Sequence, residues 1–131
     1  NDEFGHSMGD KVLKEAVNAM AGCIRQTDMC FRYGGEEFLI MLSSADQAGA
    51  LRIAERVRMG IGQMLFSNSK GSLQVTTSVG CATLQMSDSL EDIVSRADAA
   101  LYVAKDQGRN RVICDLDMPF IEKEESQHTQ E

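Results

Sequence analysis

Apolar side chains first recur along the chain at a helical period. Leu13, Ala16, Val17, Met20 and Ile24 share one face, while Lys11, Lys14, Glu15 and Asn18 occupy the polar side. Ser7 and Asp10 have the spacing of a capping box, which predicts that this helix starts there. Two short apolar runs follow, Met29–Tyr33 and Phe38–Leu42, with Gly34-Gly35-Glu36-Glu37 between them. Strand-like runs joined by a short Gly-containing segment predict a β-hairpin, with glycine supplying positive φ angles and the two acids raised to the tip. Ala54, Val57, Ile61, Met64 and Leu65 mark a second helix, ending near the turn-rich Ser67-Asn68-Ser69-Lys70-Gly71. Leu73, Val75, Thr77, Val79, Cys81 and Thr83 then alternate with Gln74, Thr76 and Ser78, the period of a strand. Leu90, Ile93, Val94, Ala97, Leu101 and Ala104 give a third helix, and a short strand is expected around Arg111–Cys114. This order predicts an α+β fold, helices packed on a sheet.

A length of 131 residues, 43% of them hydrophobic and 25% charged, is that of one globular domain, assigned to 1–114. From Asp115 the apolar period is lost and the chain turns Glu-, Gln- and Ser-rich, so 115–131 is expected to be an acidic, disordered tail. A net charge of −7 argues against a nucleic-acid polymer as partner, because such binding needs a basic face; any phosphate site has to be local. Cys23, Cys30, Cys81 and Cys114 are widely spaced, with no Cys-x-x-Cys pair, and read as reduced core thiols. No apolar run is long enough to span a bilayer, so a cytoplasmic setting without direct membrane contact is expected.

The hairpin tip carries the candidate chemistry. Adjacent carboxylates at Glu36 and Glu37 attract hard, oxygen-seeking dications, and Gly34 and Gly35 leave room for a nucleotide to approach the backbone. Together they suggest a metal-assisted nucleotide site. A bare Gly-Gly-acid-acid turn is more often polar punctuation, so the flanking sequence has to decide.

Six segments in order decide it. They are Asn1-Asp2-Glu3-Phe4-Gly5-His6 with Gly9-Asp10; Arg25-Gln26-Thr27-Asp28; Arg32-Tyr33-Gly34-Gly35-Glu36-Glu37-Phe38; Thr77-Ser78-Val79-Gly80; Ala97-Asp98-Ala99-Ala100-Leu101-Tyr102 with Ala104-Lys105; and Gly108-Arg109-Asn110-Arg111. From Asn1 to about Arg111 the chain resembles the GGDEF family of diguanylate cyclases, in its GGEEF variant. The resemblance implies a nucleotide-cyclase-like, ferredoxin-like palm: an antiparallel or mixed sheet flanked by helices, with the signature on a β-hairpin. It also implies an activity, the condensation of two GTP into cyclic di-GMP and two pyrophosphates by a homodimer subject to product inhibition. The alternative within the resemblance is a catalytically silent module that binds cyclic di-GMP as a receptor or serves dimerisation.

Residue roles follow from the same resemblance. Glu36 is a metal ligand, and Glu37 holds a second metal or accepts the proton of the attacking ribose 3′-hydroxyl; the cofactor implied is Mg²⁺, with Mn²⁺ as a substitute. Asn1 and Asp10 grip guanine, a chemically sensible pair because a carboxylate accepts from the ring N–H and amino group while an amide donates to ring acceptors. His6 lies beside them at the substrate pocket, Gly34 and Gly35 also bind the substrate, and Lys105 and Arg109 take the triphosphate. Arg25 and Asp28 form an inhibitory product site with Arg56 as a supplementary contact. Family members carry a strand with D-x-D-x-F-K directly before the residue that here is Asn1, its first acid a metal ligand. That strand is absent from this sequence, so the chain is expected to be an N-terminally incomplete GGDEF domain, a piece of a longer protein.

Overall fold

The computed structural model describes residues 5–117, apart from the side chain of His6; Asn1 and residues 118–131 lie outside the described residues. The first helical stripe forms α1, Gly5–Cys23. Ser7 and Asp10 therefore sit inside the helix, and the expected capping box does not start it: the chain is already helical at Gly5, and its unpaired first-turn N–H groups begin there, two residues before Ser7. The hairpin follows as β1, Met29–Arg32, and β2, Phe38–Met41, antiparallel with Arg32 opposite Phe38 and Met29 opposite Met41. Helix α2, Gln47–Gly62, starts earlier than its apolar stripe suggested, because the Asp46 side chain caps it by accepting from the Gly49 N–H at 2.8 Å. It also ends before Met64 and Leu65.

Met20 on α1 with Val57 and Ile61 on α2 forms one core cluster, packed against Cys30, Phe38 and Ile40 on the inner face of the hairpin. A second layer is built by α3, Leu90–Asp106, over β5, Val79–Cys81, which pairs in parallel with β6, Val112–Cys114. Helix α3 opens on a complete capping box between Ser89 and Asp92. Contact with the strand depends on small residues: a Cβ placed on Gly80 would collide with the Ala97 carbonyl and Leu101 N–H and lie 2.8 Å from Leu101 Cα.

The α+β class is as expected, but the strands pair, among the described residues, as three two-stranded sheets rather than one. The strand expected over Leu73–Thr83 is broken. Its start belongs to an additional hairpin, β3 (Phe66–Asn68) with β4 (Gly71–Leu73), its later part is β5, and residues 74–78 between them pair with no strand among the described residues. The turn-rich cluster thus closes a hairpin, turning through Gly71 at φ 131°.

Ordered chain continues past Cys114. Asp115–Asp117 form one 3-10 turn, and the Asp115 side chain, only 4% exposed, accepts from Arg96 Nε at 2.8 Å. Arg96 on α3 reaches Asp88 through Nη1 and Nη2 as well, and donates to the Thr83 carbonyl at 2.7 Å, tying three segments together. The acidic reading of the tail concealed this because an aspartate opposite a buried-side arginine cannot be told from a solvated one by composition.

Two carboxylates give the fold an acid-side sensitivity. Asp28 is buried, and backbone N–H groups of Arg25 and Ser43 hold its carboxyl below the ordinary 3.8. The Arg96 guanidinium, then the Gln85 N–H, does the same for Asp88. A carboxylate whose folded value is depressed contributes stability that is complete above its unfolded value and is lost as the pH falls through the folded one. Melting temperature is therefore expected to drop as pH falls below about 4, with a shallower drop in Asp28→Asn. An unchanged acid slope in thermal melts of that variant would contradict the assignment.

Candidate functional site

The signature loop is five residues long, Tyr33–Glu37, closed by Tyr33 and Gly34 N–H groups that both donate to the Glu37 carbonyl, at 2.8 and 3.2 Å. Gly34 and Gly35 are not among the positive-φ glycines, contrary to the expectation from the hairpin. Five residues reverse the chain without left-handed backbone, so what these glycines supply is space. A Cβ on Gly35 would touch nothing within 4 Å, and one on Gly34 only the Glu37 Cβ at 3.9 Å. Both positions are open to a ligand.

Arg32, the last residue of β1, holds the turn in place. Its Nε donates to the Gly35 carbonyl at 3.1 Å and its Nη2 to the same oxygen at 2.5 Å. Arg32 also lines a cavity of about 420 Å³ between α1 and the hairpin, together with Asp10, Leu13, Lys14, Val17 and Phe38. The mostly apolar wall with Asp10 at its edge is suited to a flat base with polar edges. Asp10 is exposed there, while Asn1 and the His6 side chain lie outside the described residues.

On the other side of the turn, Lys105 Nζ from the last turn of α3 reaches Glu37 Oε2 at 3.4 Å. The pair joins residues 68 positions apart and sets the expected phosphate-binding end of α3 against the expected acidic tip. Arg109 is exposed in the loop just after α3, and Glu36 is exposed on the turn. Among the described residues no group of three acidic, histidine or cysteine side chains converges on one point. Two adjacent, solvent-open carboxylates nevertheless fit a hard dication of the kind that takes one or two protein carboxylates and fills its remaining positions with phosphate oxygens and water.

The R-x-x-D segment is split in space. Asp28 turns inward, its Oδ2 accepting from the Arg25 N–H at 2.8 Å and its Oδ1 from the Ser43 N–H at 2.9 Å. Arg25 instead lines an open groove of about 530 Å³ with Arg52 and Arg56 of α2 and Asp46 at its cap. In an acidic chain, three arginines on one groove make its surface locally cationic. Asp28 does not line that groove but holds the backbone N–H of Arg25, which does. Sequence reading passed over Arg52, although its place one helical turn before Arg56 was a usable signal, and gave Arg32 no role despite its position against the turn.

The cysteines are free, and burial first, then the nearby Cys114 thiol, pushes Cys81 up to about 12, so it is an inert thiol. Among the described residues, no helix is long and apolar enough to cross a membrane.

The chain belongs to the GGDEF family: the family described as "Diguanylate cyclase, GGDEF domain" matches residues 1–111. It is 40% identical over 113 residues to diguanylate cyclase A of Treponema denticola, covering 86% of this chain and 30% of that protein. It is 44% identical over 116 residues to the response regulator PleD of Caulobacter vibrioides, covering 86% of this chain and 26% of that one. The chain thus spans less than a third of the length of these relatives. Among solved structures it is similar to the active GGEEF domain of a diguanylate cyclase from Vibrio cholerae, at TM-score 0.81 and 35% identity, covering 87% of this chain and 72% of that one. It is also similar to the GGDEF domain of DgcB from Caulobacter crescentus in complex with c-di-GMP, at TM-score 0.84 and 29% identity, covering 88% and 69%.

Proposed function

We propose that this chain is the catalytic domain of a diguanylate cyclase, which joins two GTP into cyclic di-GMP and releases two pyrophosphates. The observation that carries the reading is the meeting of Glu37 with Lys105 at the glycine turn, beside the cavity that Asp10 and Arg32 line. Asp10 accepts from the guanine N–H groups, with Asn1 donating to the ring acceptors and His6 as a further substrate contact. Lys105 and Arg109 neutralise the triphosphate. Glu36 and Glu37 hold the divalent metal, Mg²⁺ or Mn²⁺, which when bound withdraws charge from the phosphates. Glu37 takes the proton of a ribose 3′-hydroxyl as that oxygen bonds to the α-phosphorus of the other nucleotide and the bond to pyrophosphate breaks.

One chain presents one nucleotide, so two copies face each other across a two-fold axis with their tips opposed. In the full-length protein supplied with GTP and Mg²⁺, the rate of pyrophosphate release per chain is expected to rise with chain concentration until the dimer is saturated. Absence of release at every concentration would overturn the reading.

The arginine groove supports a second element, retention of the cyclic dinucleotide as inhibitor at Arg25, Arg52 and Arg56, with Asp28 fixing Arg25. Calorimetry is expected to give a cyclic di-GMP affinity that falls on the order of tenfold to a hundredfold in Arg25→Ala, the loss of charge-assisted hydrogen bonds. Binding without turnover in the full-length protein would favour the receptor alternative over the cyclase.

A further inference from the structure

The loop that leaves α3 follows an unusual path. Gly108, Arg109 and Asn110 have φ of 124°, 66° and 49°, three successive residues in the left-handed region. Glycine enters this region freely and asparagine with ease, but an arginine is disfavoured there. A non-glycine residue persists in such a conformation only where its surroundings fix it, and such positions gather at functional sites. The surroundings here are specific. Arg109 N–H donates to the Ala104 carbonyl at 2.9 Å, and the Arg109 carbonyl accepts from Arg111 Nε at 3.0 Å. Both bonds stay within the α3 terminus and its loop.

Among the described residues, Asn110 alone of these three reaches beyond that segment, and it does so with both backbone and side chain. Its N–H donates to Ser78 Oγ at 3.1 Å, just before β5. Its Oδ1 accepts from Arg58 Nη1 on α2 at 3.0 Å, and Arg58 is in turn held by Glu55 at 2.8 Å. Two elements distant in sequence thus converge on the residue that follows Arg109. Ser78 is brought there by the pairing of β5 with β6, whose first bond runs from the Val79 N–H to the Arg111 carbonyl at 2.9 Å, whereas Arg58 comes from α2 on its own.

We infer that Asn110 is a positioning residue for Arg109: by anchoring the loop to Ser78 and Arg58 it keeps the Arg109 backbone left-handed, so that its guanidinium is presented to the substrate phosphates. The inference rests on the proposed assignment of Arg109 to the triphosphate. Released from these anchors, Arg109 returns to ordinary φ, and its Cα–Cβ bond no longer points where the fold directs it. Asn110 itself need touch no substrate.

The test is binding of GTP and of GMP to the full-length protein in wild type, Arg109→Ala, Asn110→Ala, Asn110→Asp and the double variant Arg109→Ala/Asn110→Ala. Asn110→Ala is expected to weaken GTP on the order of tenfold while leaving GMP, which lacks the outer phosphates, unchanged. Asn110→Asp, which keeps the acceptor for Arg58 and tolerates left-handed backbone, is expected to restore GTP binding. In the Arg109→Ala background, loss of Asn110 is expected to have no further effect, the sign of two residues acting as one unit. The inference fails if Asn110→Ala binds GTP like wild type while Arg109→Ala does not, or if it weakens GTP and GMP equally, as general loosening of the fold would. Should wild type bind no GTP, or Arg109→Ala bind it unimpaired, the proposed phosphate site falls and this inference falls with it. If Asn110→Ala does not fold, Arg58→Met removes the same hydrogen bond by deleting its donor and is read by the same criteria.

Discussion

Replacing Glu37 by Gln is expected to lower pyrophosphate release from GTP about a thousandfold, the scale of a lost general base, while the melting temperature hardly moves. The two halves of this result have separate causes. The amide is nearly isosteric but can neither accept the 3′-hydroxyl proton nor hold a dication with its former charge. Stability is spared because the ion pair with Lys105 is half open to water, with side-chain exposures of 44% and 37% at a separation of 3.4 Å. Exposed pairs of this kind contribute about 0–1 kcal/mol, so the broken pair costs little. Glu36→Gln provides the contrast. As a metal ligand without the proton role, it is expected to lose activity that raised Mg²⁺ partly restores, whereas Glu37→Gln stays inactive at any Mg²⁺ concentration. Equal rescue of both variants would remove the proton-accepting role from Glu37, and an unimpaired Glu37→Gln would remove the hairpin tip from the reaction altogether.

How far the sequence could be read depended on whether the relevant spacing was local. The three helices were legible because their apolar stripes repeat every three or four residues, and that period survives whatever the strands do. The β3–β4 hairpin was not, since each strand has three residues and their polar Ser67, Asn68 and Ser72 look like loop. The stretch from Gln74 to Ser78 has the alternation of a strand yet lacks a strand partner among the described residues, because period two reports which side chains are drier and not which backbone is paired. Within the candidate site, the acids announced themselves by standing side by side on a glycine turn. The partnership of Glu37 with Lys105 and of Ser78 with Asn110 did not, since it is created only when α3 is laid across β5 and its far end comes to rest against the hairpin. Asp28 shows a third case. Motif spacing set it beside Arg25 as a second ligand, whereas the buried carboxylate accepts from the Arg25 and Ser43 backbone N–H groups, an arrangement that burial reveals and sequence conceals.

The contact that lays α3 down yields the largest expected loss of stability. Gly80→Ala is expected to destabilise the protein by about 3 kcal/mol or more, at the upper end of overpacking effects. A methyl group at this position meets backbone, the Ala97 carbonyl and the Leu101 N–H and Cα, so no side-chain rotation can make room. The strand and helix have to separate, and separation opens the layer formed by Ala100 and Ala104, both at 0% exposure. For a domain of this size the corresponding fall in melting temperature is roughly 10–15 °C. A second consequence distinguishes this from a simple loss of packing. Displacing α3 also displaces Lys105 and the loop at Arg109, so in whatever fraction remains folded, GTP affinity is expected to fall while cyclic di-GMP binding at the α2 groove, built on Arg25, Arg52 and Arg56, is kept. Thermal melts and paired titrations of the two nucleotides on Gly80→Ala measure both effects. A variant as stable as wild type would mean that α3 does not lie this close to β5, and the placement of Lys105 against Glu37 would lose its structural basis.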